Sequence, residues 1–391
     1  MNKDLSLYVH IPFCVRKCLY CDFLSFSANE EVMKAYFKAL SKELKESAKD
    51  YSDSMVKTVF FGGGTPSFPN ANYICSILSD IKDNYNLAAD AEISLELNPG
   101  TASFDKLKKY KEAGFNRLSI GVQSFDDDEL KRIGRIHDCA TAQRTYEDAR
   151  KAGFTNINLD VMSALPGQSL ESYLNTLKKA VSLDPEHISA YSLIVEEGTP
   201  FFDMDLDLPG EEEDRAMYHK TAEKLQDFGY HRYEISNYAK DGFECEHNKV
   251  YWKRGNYLGV GLGAASMVDD VRWTNTGKID DYIAYFSGDS SFAGIRENVE
   301  KLTLEDRMEE FMFLGLRLIT GVDLAEFEAL FGKKIEDVYA EVIGKYVGMG
   351  LLRRFVEEKT CREHLCLTTQ GLDVSNTVMA DFIIHIENSI E

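Results

Sequence analysis

The chain has 391 residues, 44% hydrophobic and 28% charged, the proportions of a globular protein with an ample core and room for two or three domains. Acidic residues outnumber basic ones, 65 to 44, for a net charge of −21; this excludes a general nucleic-acid binder, whose affinity rests on Lys and Arg neutralising phosphates. No run approaches the ~18 apolar residues of a membrane span, Met1-Asn-Lys-Asp lacks the cationic start and long apolar stretch of a signal peptide, and eight cysteines in so long a chain fit a reducing compartment better than a disulfide framework, so a cytoplasmic protein is expected.

An apolar strand near Ser6 to His10 runs into a loop with Cys14, Cys18 and Cys21 in C-x3-C-x2-C spacing. Glu30 to Lys49 then reads as a surface helix, with Tyr36, Leu40 and Leu44 four residues apart. From Lys57 onward strands and helices alternate. Strands are expected at Lys57 to Phe61, Ala91 to Leu97, Arg117 to Val122, Asn156 to Met162 and His187 to Leu193. Helices are expected near Ala71 to Asn84, Ser103 to Ala113, Cys139 to Ala152 and Ser169 to Ser182. Six βα-type units of this kind predict an α/β fold, a partial (β/α)6 barrel with parallel strands inside and helices outside. In such barrels the chemistry sits at the carboxyl ends of the strands, and Cys14, Gly63, Glu96, Gln123 and Asp160 all follow or end apolar strands.

Gly198 to Glu213 reads as a loop, Asp214 to Phe228 as a helix and Tyr230 to Ser236 as a further edge strand. The barrel is expected to occupy residues 1–240 and a connecting segment 241–302, including a glycine-rich stretch from Gly255 to Gly263. From Thr303 the pattern changes to helices marked by Phe311, Leu314 and Leu318, by Asp323 to Phe331 and by Ile335 to Val347, then a hairpin over Leu351 to Thr368 and a last helix. Residues 303–391 thus read as a helical, winged-helix-like module, and the acidic balance makes it a packing or lid domain rather than a DNA reader. The acidic surface also suits docking on a basic electron donor, although such charge more commonly serves solubility.

Three thiolates within eight residues are too few to close a four-ligand zinc site. They suit three irons of a [4Fe-4S] cube, with the fourth iron open to an outside ligand. On spacing alone, a zinc knuckle or three reduced structural thiols stay open as alternatives. Gly62-Gly63-Gly64-Thr65-Pro66 lets backbone approach a ligand closely because glycine has no Cβ, yet a glycine-rich βα turn needs no ligand. Glu96 is a strand-end carboxylate of the kind that holds ribose hydroxyls, and Arg135 has the forked geometry that suits a carboxylate. Gln123, Arg135 and Asp160 taken singly fit an internal polar network at a barrel mouth equally well.

The cysteine loop, with Tyr8 before the first cysteine and Tyr20 just before the third, resembles the signature of the radical S-adenosylmethionine (SAM) superfamily. That resemblance implies that the open iron binds SAM and that Tyr20 is a cofactor-binding residue. The ordered series HIPFC, GGGTPS, ELNP, GVQSF, GRIH, LPGQ and YEISNYA is similar to the oxygen-independent coproporphyrinogen III oxidase-like branch of that superfamily and covers nearly the whole chain. It implies that Tyr8, Gly63, Gly64, Thr65, Glu96, Gln123, Arg135 and Asp160 contact SAM.

The oxidases of this branch carry a fourth cysteine two residues after the third and a longer segment before the motif; here residue 23 is Phe23. The other group, the HemW haem chaperones, is marked by H-N-x-x-Y-W, and this chain has His247-Asn248-Lys-Val-Tyr251-Trp252. A neutral imidazole is a good haem ligand and Tyr251 with Trp252 offers flat aromatic surface, so the resemblance implies haem binding by His247, Tyr251 and Trp252. Apart from that resemblance, a turn histidine and a core tryptophan are the commoner reading, and Cys245 is a rival thiolate ligand. The remaining implied partners are apo-haem proteins as recipients, a flavodoxin- or ferredoxin-type reductant, and a second copy in a homodimer. Coproporphyrinogen decarboxylation and radical haem degradation are the alternative activities. His10 is expected to pack near the cluster and Cys139 to sit on a helix, neither in a site.

Overall fold

The computed structural model describes residues 4–288, 294–358 and 360–383. Six parallel strands form the frame: β1 (Asp4–Ile11), β2 (Met55–Gly63), β3 (Asn86–Leu97), β4 (Arg117–Gln123), β5 (Ile157–Ser163) and β6 (His187–Ser192). They lie side by side in chain order, each in parallel register with the next. Helices α1 (Glu30–Ser47), α2 (Ala71–Asn84), α3 (Phe104–Ala113), α4 (Asp127–Arg132), α5 (Cys139–Lys151) and α6 (Leu170–Ser182) connect them. The expected βα alternation is therefore present, and the short α4 is an addition that its cap explains: the Asp126 carboxylate accepts from the backbone N–H groups of Asp128 and Glu129.

The strands alternate, and their outward-facing residues are apolar because helices cover that side of the sheet. Leu7, Val9, Val59, Leu95, Leu118, Ile120, Leu159 and Ile188 are fully buried in one core with the inner faces of α1, α2, α3, α5 and α6. The opposite faces of the strands are polar. Glu96, Ser119, Asn158 and His187 lie in register across β3 to β6 as one layer, with Ser94 and Arg117 below it, so the barrel interior is hydrophilic where the outside is greasy.

The sheet grows at both edges. After α7 (Glu211–Asp227), the segment expected as a single edge strand is a small hairpin of β7 (His231–Arg232) and β8 (Asn237–Ala239), with β8 antiparallel to β6. Past α8 (Glu246–Trp252), the glycine-rich stretch forms β9 (Tyr257–Val260), a seventh parallel strand on the free side of β1, and β10 (Ala265–Val268), β11 (Val271–Asn275) and β12 (Arg296–Lys301) continue antiparallel. The expected connecting segment is thus part of the same 12-stranded sheet. Gly259 permits this: a Cβ there would stand 2.1 Å from the Ala265 carbonyl oxygen.

Between β11 and β12 lies α9 (Ile279–Ser287). The chain ends in α10 (Leu304–Gly315), α11 (Leu324–Phe331) and α12 (Ile335–Gly348), which pack with a three-stranded sheet of β13 (Val322–Asp323), β14 (Leu352–Val356) and β15 (Glu363–Leu367), followed by α13 (Thr369–Asp373) and α14 (Ser375–Ala380). This part has its own apolar core, built on Met312, Phe327, Tyr339, Leu365 and Phe382. No described helix is long and apolar enough to cross a membrane.

Candidate functional site

The carboxyl ends of β1 to β6 converge on a cavity of about 360 Å³. Its walls include Cys14, Cys18, Cys21, Tyr20, Gly63, Gly64, Thr65, Glu96, Gln123, Arg135 and Asp160. Twelve residues were expected to bind SAM or haem and three to hold iron; all but Tyr8, His247, Tyr251 and Trp252 meet here. The cysteine loop is held in place by backbone. Gly64 N–H donates to the Ile11 carbonyl at 2.8 Å and Thr65 N–H to that of Phe13 at 2.9 Å, and a Cβ on Gly64 would fall 2.9 Å from the Phe13 oxygen. The glycine run thus seats the cysteine loop as well as lining the cavity.

The three thiols are free. Cys14 lies 3.4 Å from the Thr65 hydroxyl, and Arg135 Nη1 lies 3.6 Å from Cys18 Sγ. Among the described residues no three His, Cys, Asp or Glu side chains gather tightly enough for one metal ion. A cube with one open iron takes one thiolate on each of the other three, and Cys14, Cys18 and Cys21 bring three thiols to the wall of this cavity. Arg135 also donates to Asn98 Oδ1 at 2.7 Å and to the Gly121 carbonyl, while Asn98 Nδ2 donates to Thr65 at 2.9 Å.

Asn98 escaped the sequence reading, although it sits two residues past Glu96. Tyr191, at the end of β6, was missed as well; its hydroxyl donates to Gln123 Oε1 at 3.1 Å. The strand-end rule applied to the sixth strand finds it. Gln123 itself has φ +67°, a conformation that side-chain-bearing residues avoid and that clusters at functional sites.

Glu96 and Asp160 share the cavity floor. Burial, then the Asp160 charge, raises Glu96 to about 8 against a bond from the Gly63 N–H; burial likewise raises Asp160, opposed by its bonds from Asn158 and Ser189. Beneath them is an inner cavity of about 180 Å³ that also touches Tyr8, Arg117, His247, Asn248 and Tyr251. Tyr8 therefore faces the inner cavity. Its hydroxyl meets His10 Nδ1 at 3.1 Å, and His10 Nε2 meets the Leu24 carbonyl at 2.9 Å, so His10 packs under the cysteine loop as expected.

Helix α8 divides the H-N-x-x-Y-W residues between two places. His247 and Tyr251, four apart, face the barrel interior. His247 is 1% exposed and stacked on Phe60 at 5.1 Å. Its Nδ1 meets the Thr58 hydroxyl at 2.7 Å and its Nε2 the Tyr251 hydroxyl at 2.9 Å. Burial lowers its pKa to about 3, which keeps the ring neutral, but both nitrogens are engaged, and the adjoining space is well under the ~300 Å³ of ordinary ligand pockets. Cys245 is fully buried and pushed up to about 12 by burial, and its thiol donates to Glu92 at 3.6 Å. Trp252 points the other way, with the Arg317 guanidinium 4.3 Å over its ring, into a cleft of about 450 Å³ between the barrel and the C-terminal helices. Cys139 opens α5, outside the site.

With this geometry described, known proteins can be compared. The Radical SAM superfamily pattern matches residues 8–180 and the HemN C-terminal domain pattern residues 302–374. The chain is 37% identical to the heme chaperone HemW of Bacillus subtilis, covering 97% of this chain and 99% of that one. The chain belongs to the HemW family of the radical SAM superfamily. A second HemW relative, the heme chaperone of Escherichia coli, is 36% identical over 97% of this chain and 98% of its own length. The solved structure of coproporphyrinogen III oxidase (HemN) from Escherichia coli, a radical SAM enzyme, superposes with a TM-score of 0.84 at 26% identity, covering 98% of this chain and 91% of that one. This chain and HemN thus share one fold over nearly the whole of this chain.

Proposed function

We propose that this protein is a haem carrier that uses a [4Fe-4S] cluster and SAM. Cys14, Cys18 and Cys21 hold the cluster at the barrel mouth. Gly63, Gly64 and Thr65 would present backbone to the SAM amino group, Arg135 would hold its carboxylate, and Glu96 and Asp160 would accept from its ribose hydroxyls. Tyr20 and Gln123 complete the walls. The chemistry the cluster supplies when bound is one-electron reduction of the SAM sulfonium. The chain's own work would be to hold SAM beside the cluster, with Arg135 placing a fixed positive charge beside the Cys18 thiol.

The observation that carries the carrier reading is near full-length similarity to heme chaperones in a chain with Phe23 where the oxidases have their fourth cysteine. Phe23 is 61% exposed, and with exposed Val15, Ile136, Ile194, Phe202 and Met204 it gives the loops around the mouth an apolar surface. That surface supports docking of a flavodoxin- or ferredoxin-type reductant or a second copy in a homodimer. Eight cysteines, with no disulfide among the described ones, support a reducing, cytoplasmic setting, and apo-haem proteins are the recipients.

The test is anaerobic titration of the reconstituted protein with haem, read by absorption, followed by mixing with an apo-haem acceptor. Haem should bind and pass on intact. Conversion of coproporphyrinogen III to protoporphyrinogen IX, or consumption of haem with SAM and reductant, overturns the carrier reading in favour of an enzyme.

A further inference from the structure

Resting on the SAM reading of the mouth cavity, we propose that Arg117 is a positioning residue for SAM: from beneath the cavity floor, its buried positive charge keeps Asp160 a carboxylate, ready to accept from a ribose hydroxyl. Three observations carry it.

The first is a cation without a direct partner. Arg117 is 2% exposed. Of the five N–H donors of a guanidinium, its side chain places one in a hydrogen bond, from Nη1 to Ser94 Oγ at 3.5 Å, and Nε has no partner. Among the described residues no carboxylate forms an ion pair with it. A buried charge is costly unless it is compensated, so its counter-charge has to act through space from the groups around it.

The second is where the guanidinium lies. Arg117 and Ser119, two apart on β4, face the barrel interior together. Ser119 Oγ stands 3.4 Å from both Asp160 carboxylate oxygens, and Asn158 Nδ2 donates to Asp160 at 2.6 Å. Arg117, Glu96 and Asp160 line the inner cavity of about 180 Å³, while the mouth cavity is lined by Glu96 and Asp160 but not by Arg117. Arg117 therefore reaches the mouth only through those two acids.

The third is which neighbours can answer its charge. Cys245, just before α8, is pushed up to about 12 by burial. Burial also keeps Tyr233, Tyr8 and Tyr251 protonated and His187 and His247 uncharged. Glu92 of β3 faces Arg117 as well, but it accepts from Cys245 Sγ at 3.6 Å and from the Glu246 and His247 N–H groups at 3.1 Å, and it lies outside the inner cavity. Glu96 and Asp160 remain. Burial raises both, Asp160 raises Glu96 further, and Arg117 opposes the rise in each. With Glu96 at about 8, Asp160 is the acid that Arg117 holds ionised. Because the guanidinium spends so little of its hydrogen-bonding fork, its charge rather than its shape is at work, and lysine should replace it.

The experiment is calorimetric titration of the full-length, cluster-reconstituted protein with SAM from about pH 6 to about pH 9, in the wild type, Arg117→Met, Arg117→Lys, Asp160→Asn and the Arg117→Met/Asp160→Asn double variant, with iron content and far-ultraviolet circular dichroism measured on each. Wild-type affinity should rise with pH as the floor ionises. Arg117→Met should move that rise upward by about one pH unit and raise the dissociation constant near neutral pH on the order of 10-fold, whereas Arg117→Lys should follow the wild-type profile. In the Asp160→Asn background Arg117→Met should change affinity by no more than about twofold, because the group it acts through is gone. Methionine replaces an unpaired buried charge with an apolar chain of similar length, a change that folds tolerate; if Arg117→Met does not fold, Arg117→Gln takes its place in the comparison. A wild-type profile in a folded, iron-replete Arg117→Met, or an equal loss with and without Asp160, overturns the positioning role while leaving the SAM site. Absence of SAM binding by the cluster-loaded wild type defeats the parent reading of the cavity instead.

Discussion

Glu96 shows how a single side chain reports on the site. Its carboxyl, raised to about 8 by burial and by Asp160, is neutral at physiological pH in the ligand-free barrel, so its folded-state pKa lies above the unfolded value. Such a group stabilises the fold fully below the unfolded pKa, near 4.5, and that contribution fades as pH rises toward 8. Glu96→Gln, which keeps the shape and removes the titration, should therefore stabilise the ligand-free protein relative to wild type at pH 8, by about 1–2 kcal/mol once partial solvent access is discounted, with the gap closing toward pH 5. Melting curves at the two pH values check this, and an equal difference at both would show that Glu96 is ionised throughout. The same substitution should weaken SAM binding, because glutamine accepts ribose hydrogen bonds without charge.

At the scale of elements, the junction of the cysteine loop with β2 decides whether the cluster can be held. Gly64 leaves no room for a Cβ between its own backbone and the Phe13 and Ile11 carbonyls. Gly64→Ala must push the cysteine loop away, and we expect a folded barrel with most of its iron lost; iron and sulfide analysis beside far-ultraviolet circular dichroism measures both, and full iron occupancy would refute the seating role. This junction was legible in the sequence as far as its residue types, because cysteines and glycines at a strand end carry their chemistry in their spacing. So were the six βα units, where apolar strands between capped helices follow from period and cap alone: Ser103 and Ser169 accept from Lys106 and Ser172 as expected of N-caps. What stayed hidden depends on distant partners. β9 reads as a glycine-rich loop until β1 offers it a free edge, and the two faces of α8 cannot be told apart until Phe60 claims His247 and Arg317 claims Trp252.

For the whole molecule, the question is what fixes the C-terminal module against the barrel. Two seams do so. At the β7–β8 edge, fully buried Glu234 accepts from the Ser236 N–H at 2.7 Å and from Asn237 at 2.6 Å and faces Arg317 at 3.9 Å, while Ile319 N–H donates to the Tyr233 carbonyl at 3.0 Å. At the other edge, Glu310 of α10 is 4% exposed and bonds Arg254 at 3.0 Å and also Arg272 of β11, and Asp270 takes Arg254 at 2.6 Å and Arg307 at 3.0 Å. Two carboxylates thus serve three guanidinium groups, two each with Arg254 shared, and Glu310 is the more deeply buried of the two. Breaking a buried pair by removing one partner costs roughly 3–5 kcal/mol because the remaining charge stays buried. That cost falls on the seam, while the module's own core of Met312, Phe327 and Leu365 and the barrel's core are untouched. Glu310→Ala should therefore split or broaden the calorimetric transition into a module component and a barrel component. A single unshifted transition would mean that the seam is dispensable, and that the two parts are joined chiefly by apolar contact.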